Sequence, residues 1–394
     1  MTADERWDLT IVGAGPAGAA TALGALAADP TLRVLLLDRA EFPRDKSCGD
    51  GIAPHVFDAL ADVGVHDVAD GWDPVRRLSI GQPRTAVERP PARPVWVIPR
   101  QVFDARLVDH AVRAGATLRR HRVRDIDPTG THITVDAAIR TRLLVGADGA
   151  YSTVRRLLGA QRSGRQALAI RGYAPTPTAR AGRQVIVYGT RRQPSYAWSF
   201  DRGDGWCNVG YGELVNSPGD ETLTRSVLLD QLDELLPGAT EGVRDLRGHH
   251  LPLSSFGWTH PGGRLLLAGD AAHLINPMTG EGIYYAVATG IIAGRSAVAA
   301  LATGHPSVAG DTHRAGVRRL LAHHLRHTYV ASRLSARPTV VEAGIHAATR
   351  RRAVFDDLVE IGLGGGLITP RLLAGLAHGL ATGPVRRRAR AARR

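Results

Sequence analysis

The 394-residue chain carries 44% hydrophobic and 22% charged residues, the balance of a folded globular protein, which excludes disorder throughout and a minimal binding module. Its formal net charge of +13 looks like a nucleic-acid signature, but six arginines sit between Arg386 and Arg394 and Lys46 is the only lysine. About half of the basic surplus is therefore a tail, no stacking aromatics interleave with the arginines, and no nucleic-acid partner is expected.

Cys48 and Cys207 are the only cysteines and lack Cys-x-x-Cys spacing, so a cytoplasmic protein without a disulfide framework is expected. Met1 to Asp8 is polar and predicts no signal peptide. No run reaches about 18 uninterrupted apolar residues. The segment Ile361 to Thr382 comes nearest, interrupted by Arg371 and His378.

In chain order, Asp8 to Val12 is a short β-rich apolar run, Pro16 to about Ala28 a small-residue helix, and Arg33 to Asp38 a second strand. Between the first strand and the helix stands Gly13-Ala14-Gly15-Pro16-Ala17-Gly18. In that context the glycines permit a tight turn, close approach of backbone to a pyrophosphate and helix-to-strand packing, while the helix N-terminus faces the phosphates. Asp38, about 20 residues beyond the last glycine, stands where a carboxylate takes ribose hydroxyls, with Arg39 beside it.

Phe103 to Ala114 has helical spacing, and Thr131 to Val145 reads as strands ending in Gly146-Ala147-Asp148-Gly149, a second carboxylate at a strand end. Between Gln166 and His260 the texture turns to short strands: Ala167 to Tyr173, Gln184 to Tyr188, Tyr196 to Phe200 and Cys207 to Gly212, with one helix, Leu223 to Leu236. Arg264 to Ala268 returns to a buried-strand pattern and runs into Gly269-Asp270. Pro277, Gly280, Gly282 and Ile283 then set up a new helix N-terminus, which stabilises negative charge. His313 to Arg337 reads as a basic helix whose His323, His324 and His327 are solvated. His249, His250 and His273 form no metal spacing, and no metal is expected.

The pattern predicts an α/β protein with a discontinuous Rossmann-like cofactor domain made of residues 1–75, 96–165 and 262–310. A strand segment (76–95) and a β-rich block (166–261) form an inserted substrate domain, followed by a C-terminal helical region (311–385) and a basic tail (386–394).

The three glycine and aspartate motifs, in this order and flanking an inserted β domain, resemble the FAD-dependent oxidoreductases of the para-hydroxybenzoate hydroxylase fold over roughly Asp8 to Gly304. Within that group, Phe42-Pro43-Arg44-Asp45-Lys46-Ser47-Cys48-Gly49-Asp50-Gly51 resembles the loop of the geranylgeranyl reductase family. Tyr196-Ala197-Trp198-Ser199-Phe200 resembles that family's Tyr-x-Trp-x-Phe-Pro substrate-cavity motif. The resemblance implies FAD as cofactor, with Arg44 and Arg100 at its phosphates or adenosine side, Asp148 and Asp270 on its chain, and the Cys48-Gly49 loop along the flavin face. It also implies a hydrophobic small-molecule substrate against Tyr196, Trp198 and Phe200, and an electron donor that is NAD(P)H or a reduced ferredoxin or flavin system. Asp201 departs from the family's proline, and a carboxylate beside a lipid tunnel argues against a long prenyl chain.

Reduction of a carbon–carbon double bond needs a proton as well as a hydride. The Cys48 thiol, with Lys46 close in sequence to tune it, is the expected donor. A flavin monooxygenase on the same scaffold is the second reading. A halogenase is the third, weakened because the Trp-x-Trp-x-Ile-Pro motif of halogenases is absent. The arginine tail and the apolar stretch after Ile361 predict contact with anionic lipid at a membrane surface.

Overall fold

The computed structural model describes residues 5–159, 165–215, 223–255 and 260–382. The strand Glu5–Val12 pairs in parallel with both Val34–Asp38 and Ile139–Gly146, and Leu9, Ile11, Leu36, Leu143 and Leu144 on these strands are wholly buried. Continuous apolar runs of this kind suit parallel strands covered on both faces. Thr117–Arg120 extends this cofactor sheet on one side, and Ile133–Val135 and Ile126–Asp127 on the other. Leu265–Leu267, more than a hundred residues downstream, pairs in parallel with the end of Ile139–Gly146. The sheet is thus built from segments on both sides of an insertion.

Two helices of small residues, Pro16–Ala28 and Ile283–Ala302, lie against each other beside that sheet. They approach so closely that a side chain at Gly290 or Gly294 would meet the backbone carbonyls of Ala17 and Thr21. By length and composition Ile283–Ala302 could cross a membrane, but it is mostly buried within the protein. It, rather than Ile361 to Thr382, is the nearest approach to a spanning segment. The latter region is broken at Gly364–Gly366 into two helices, Arg352–Leu363 and Pro370–Thr382.

The second large sheet has the order Arg244–Pro252, Gln166–Pro175, Trp206–Val215, Tyr196–Asp201, Arg183–Tyr188, Arg77–Gln82, Thr85–Arg89. Every pairing in it is antiparallel except that between Arg183–Tyr188 and Arg77–Gln82. The C-terminal helices pack on its far end, where Leu78 and Val87 share a core with Ile345, Phe355, Ile361 and Leu372. The long helix of that region is Ala309–Leu334, and its histidines are not all solvated as expected. His324 lies on the buried face with Val317 and Leu321, bridging the Tyr285 hydroxyl (2.6 Å) and the Gly366 carbonyl (2.7 Å). The arginine run from Arg386 lies outside the described residues.

Candidate functional site

A cleft of about 1200 Å³ runs from the glycine turn to the inner face of the second sheet. At its first end Gly13 adopts φ +98°, and a side chain there would strike the Ala147 carbonyl, so the turn crosses tightly over the neighbouring strand. The helix that follows has no side-chain cap at Gly15 and carries Pro16 at its start. Its first N–H groups are therefore left for a ligand, as an anion site requires. Asp38 accepts from the backbone N–H of Ala14 and of Ala40, both at 2.8 Å, which leaves lone pairs on each oxygen for a polyol. Arg39 is exposed at the rim.

The Arg44 guanidinium hangs over Gly15, 3.3 Å from where a β-carbon would stand, and pairs with Asp104 at 3.1 Å. Asp104 is fully buried and also takes a two-pronged grip from Arg100, at 2.6 and 2.8 Å. One carboxylate thus serves two arginines on the cleft wall, and a net positive charge is left there for phosphate. Asp104 stands one helical turn after Arg100, a spacing that could have flagged it in the sequence.

The loop from Arg44 to Asp50 is tied down by several elements. Asp45 receives Arg171 with both oxygens at 2.6 Å, and the Cys48 carbonyl accepts from the Asn208 amide at 2.8 Å. Asp50, wholly buried in a left-handed backbone conformation (φ +61°), accepts from the Tyr173 hydroxyl at 2.6 Å and from Asn208 at 2.8 Å. Desolvation pushes its carboxyl up to about 6. Lys46 does not serve Cys48 as expected, because its ammonium is 3.3 Å from Asp270. Burial raises the Cys48 thiol, and the cation acting on it most strongly is Arg100. The thiol is accordingly neutral at ordinary pH.

Asp270 and Gly282 meet across the third motif, while Asp148 caps the short helix Thr153–Leu157 through the Thr153 N–H at 2.6 Å. Asp148 and Asp270 both line the cleft, as do Pro277, Gly280, Gly282 and Ile283. Gly18 and Gly269 stand behind the wall, the first packed against Gly13 and the second donating to the Thr289 hydroxyl. Two features escaped the sequence reading. Arg155 donates to the carbonyls of Ala150 and Ala271 at 2.7 and 2.8 Å, stitching the second motif to the third. Glu281 accepts from the Tyr284 N–H at 3.0 Å, so a carboxyl of the chain itself occupies the helix start expected to face the cofactor. Burial pushes that carboxyl up to about 7. Among the described residues no cluster of metal-ligating side chains occurs.

Strand alternation turns Tyr196, Trp198 and Phe200 into the cleft. Trp198 donates to Asn208 at 2.8 Å, and the Tyr196 hydroxyl donates to the Thr279 carbonyl. Gly49 packs against Trp198 and Phe200, so the Cys48 loop and the aromatic strand share one wall. Asp201 falls on the opposite face, where it accepts from the Thr176 hydroxyl at 2.8 Å and the Gly182 N–H at 2.6 Å. It places no charge beside the chamber, which removes the objection to a long apolar chain. The remaining wall comes from the C-terminal region through Leu358, Val359 and Leu363. That region is held in place by Asn276 and Thr279, which donate to the carbonyls of Ile361 (2.9 Å) and Gly362 (2.8 Å).

The family described as FAD binding domain matches residues 6–309. A menaquinone reductase of Mycolicibacterium smegmatis is 34% identical over 319 residues, covering 73% of this chain and 75% of the relative. The chain belongs to the geranylgeranyl reductase family of FAD-dependent oxidoreductases. A digeranylgeranylglycerophospholipid reductase of Methanopyrus kandleri is 32% identical over 325 residues, covering 75% of this chain and 81% of the relative. The fold of this family member is shared with a geranylgeranyl bacteriochlorophyll reductase-like protein from Thermoplasma acidophilum, at a TM-score of 0.77 and 20% identity over 95% of this chain and 96% of that one. The uncapped helix start, the arginine pair on Asp104 and the open lone pairs of Asp38 fit the FAD that this enzyme binds.

Proposed function

We propose that this enzyme hydrogenates a carbon–carbon double bond in an isoprenoid-type substrate. The observation that carries the reading is that Cys48 and Gly49 line the same cleft as Trp198 and Phe200, with room at Gly49 for no more than a methyl group before the two rings, so the cofactor loop and the apolar chamber are one continuous space. The relatives' names, a menaquinone reductase and a digeranylgeranylglycerophospholipid reductase, support a hydrophobic substrate carrying an isoprenoid chain. Bound FAD supplies the hydride. On this reading Gly13, Gly15, Ala17, Asp38, Arg39, Arg44 and Arg100 hold its adenosine and phosphate side, and Asp148, Asp270 and the Pro277–Ile283 turn hold the rest. Tyr196, Trp198 and Phe200 orient the chain and exclude water.

The proton comes from the Cys48 Sγ, which burial keeps neutral, and Glu281, whose carboxyl burial raises to about 7, is a second acid on the same wall. The reducing equivalents come from NAD(P)H or a reduced ferredoxin or flavin protein. The helix Pro370–Thr382, with Leu373 and Leu380 exposed just ahead of the arginine tail, meets the lipid surface from which such a substrate is drawn.

The test is anaerobic: the flavin is reduced in the purified enzyme, polyprenyl substrates are added, and flavin reoxidation is followed together with product mass. Reoxidation with gain of two hydrogens per turnover is expected. Repeated in air, substrate-dependent oxygen uptake coupled to a hydroxylated product would instead make the enzyme a monooxygenase.

A further inference from the structure

The strand Arg183–Tyr188 turns Gln184, Ile186 and Tyr188 into the chamber. On that face Gln184 lies between Leu78 and Phe200 on the adjacent strands, and Tyr188 lies beside Tyr196. Gln184 and Tyr188 are each only 8% exposed. The polar groups of the neighbouring strand are already engaged, Tyr196 on Thr279 and Trp198 on Asn208. Among the described residues, nothing donates to or accepts from the Gln184 amide or the Tyr188 hydroxyl.

The two side chains are largely buried, yet their polar ends keep access to the cleft and have no protein partner, so they are free to meet whatever fills it. Here both unpaired groups open onto the cleft, on the same strand face, with an isoleucine between them. Burial pushes the Tyr188 phenol up to about 12, so it stays a neutral donor at working pH. The strands Arg77–Gln82 and Arg183–Tyr188 and the helix Arg352–Leu363 line this end with Leu78, Ile80, Ile186, Leu358, Val359 and Leu363. Among the described lining residues of these elements none is cationic, so an anionic head would be desolvated there without a counter-charge. Gln184 and Tyr188 stand about 13 Å apart along the strand, so a neutral head with two acceptors, such as the paired carbonyls of a quinone, can meet one at each side.

We propose that Gln184 and Tyr188 are specificity-determining residues that hydrogen-bond a carbonyl-bearing head on the substrate while its isoprenoid chain fills the apolar chamber. The inference rests on the reading that this chamber takes the substrate. It discriminates a quinone-type head from a phosphorylated one.

The experiment titrates the oxidised FAD-loaded enzyme with a geranylgeranyl naphthoquinone and with geranylgeraniol, which share a chain and differ in the head. Binding is read from the flavin absorbance change. The wild type prefers the quinone, and Gln184→Leu and Tyr188→Phe each reduce that preference about tenfold, the worth of one hydrogen bond. In turnover the change falls on KM for the quinone, with kcat held within about twofold. Should Gln184→Leu lose its flavin, Tyr188→Phe alone carries the test, since it removes one hydroxyl and keeps the ring. An unchanged preference in the variants that retain flavin, or a wild type indifferent to the head, overturns the inference. An enzyme that binds both ligands with the expected preference yet reduces neither overturns alkene reduction instead.

Discussion

The two ends of the cleft solve opposite problems. At the glycine-turn end, polar side chains are matched by protein: Arg44 and Arg100 share Asp104, Lys46 meets Asp270, and Asp38 is held by two backbone N–H groups. On the second sheet, Gln184, beside Gly51 of the cofactor loop, and Tyr188, beside Tyr196, face the cleft without protein hydrogen-bond partners. Side chains held by protein keep their geometry before a ligand arrives, so the uncapped helix start and the surplus arginine charge stand ready-made for a cofactor that stays. Unmatched groups gain most when a ligand arrives, which suits a molecule that comes and goes. The Cys48–Gly49 loop is the border, anchored through Asn208 to the sheet and through Arg44 to the glycine turn.

The comparison is broken most severely by removing the shared counter-charge. Asp104→Ala leaves two arginines facing each other in a buried site, and a loss of about 3–5 kcal/mol in denaturant unfolding is expected, with flavin lost on gel filtration. A variant that keeps both its flavin and its stability would show that Asp104 does not hold the two arginines in place.

At the border, Cys48→Ala should slow anaerobic flavin reoxidation by about a hundredfold while leaving substrate binding intact. Reoxidation at the wild-type rate would move the proton to Glu281.

The smallest effect sharpens the comparison through pH. Burial raises the folded Glu281 carboxyl from 4.5 to about 7, so between those values the native state binds more protons than the unfolded chain. Stability contributed by the neutral carboxyl is therefore present in full below pH 4.5 and is lost as pH rises toward 7. Relative to Glu281→Gln, the wild type should lose about 1–2 kcal/mol across that window, less than the full shift implies because the side chain faces the cleft. Parallel stability curves for the two proteins would place Glu281 in solvent.

Much of the cofactor end is legible in the sequence because its chemistry is local. A glycine turn between strand and helix, and an acid at the end of the next strand, are fixed by spacing alone, and the return of a buried strand before Gly269-Asp270 signals the discontinuity. What escapes is set by distant pairing. Asn208 joins Cys48, Asp50 and Trp198 only because Tyr196–Asp201 and Trp206–Val215 are neighbours in the sheet. The strand Arg244–Pro252 escapes because it is an edge strand, RDLRGHHLP, with most of its residues exposed and no apolar alternation to betray it. Gln184 reads as one polar residue in a strand, and its lack of a partner exists only in three dimensions.

The discontinuity of the cofactor sheet also sets an order of events during synthesis. The turn at Gly13 emerges from the ribosome first, yet its partners at Asp270 and Glu281 follow some 260 residues later, and the carbonyls that steady Asn276 and Thr279 belong to Ile361 and Gly362. A nascent chain halted before Asp270 holds half a cradle, so flavin capture is a late step. Truncated products should therefore be colourless.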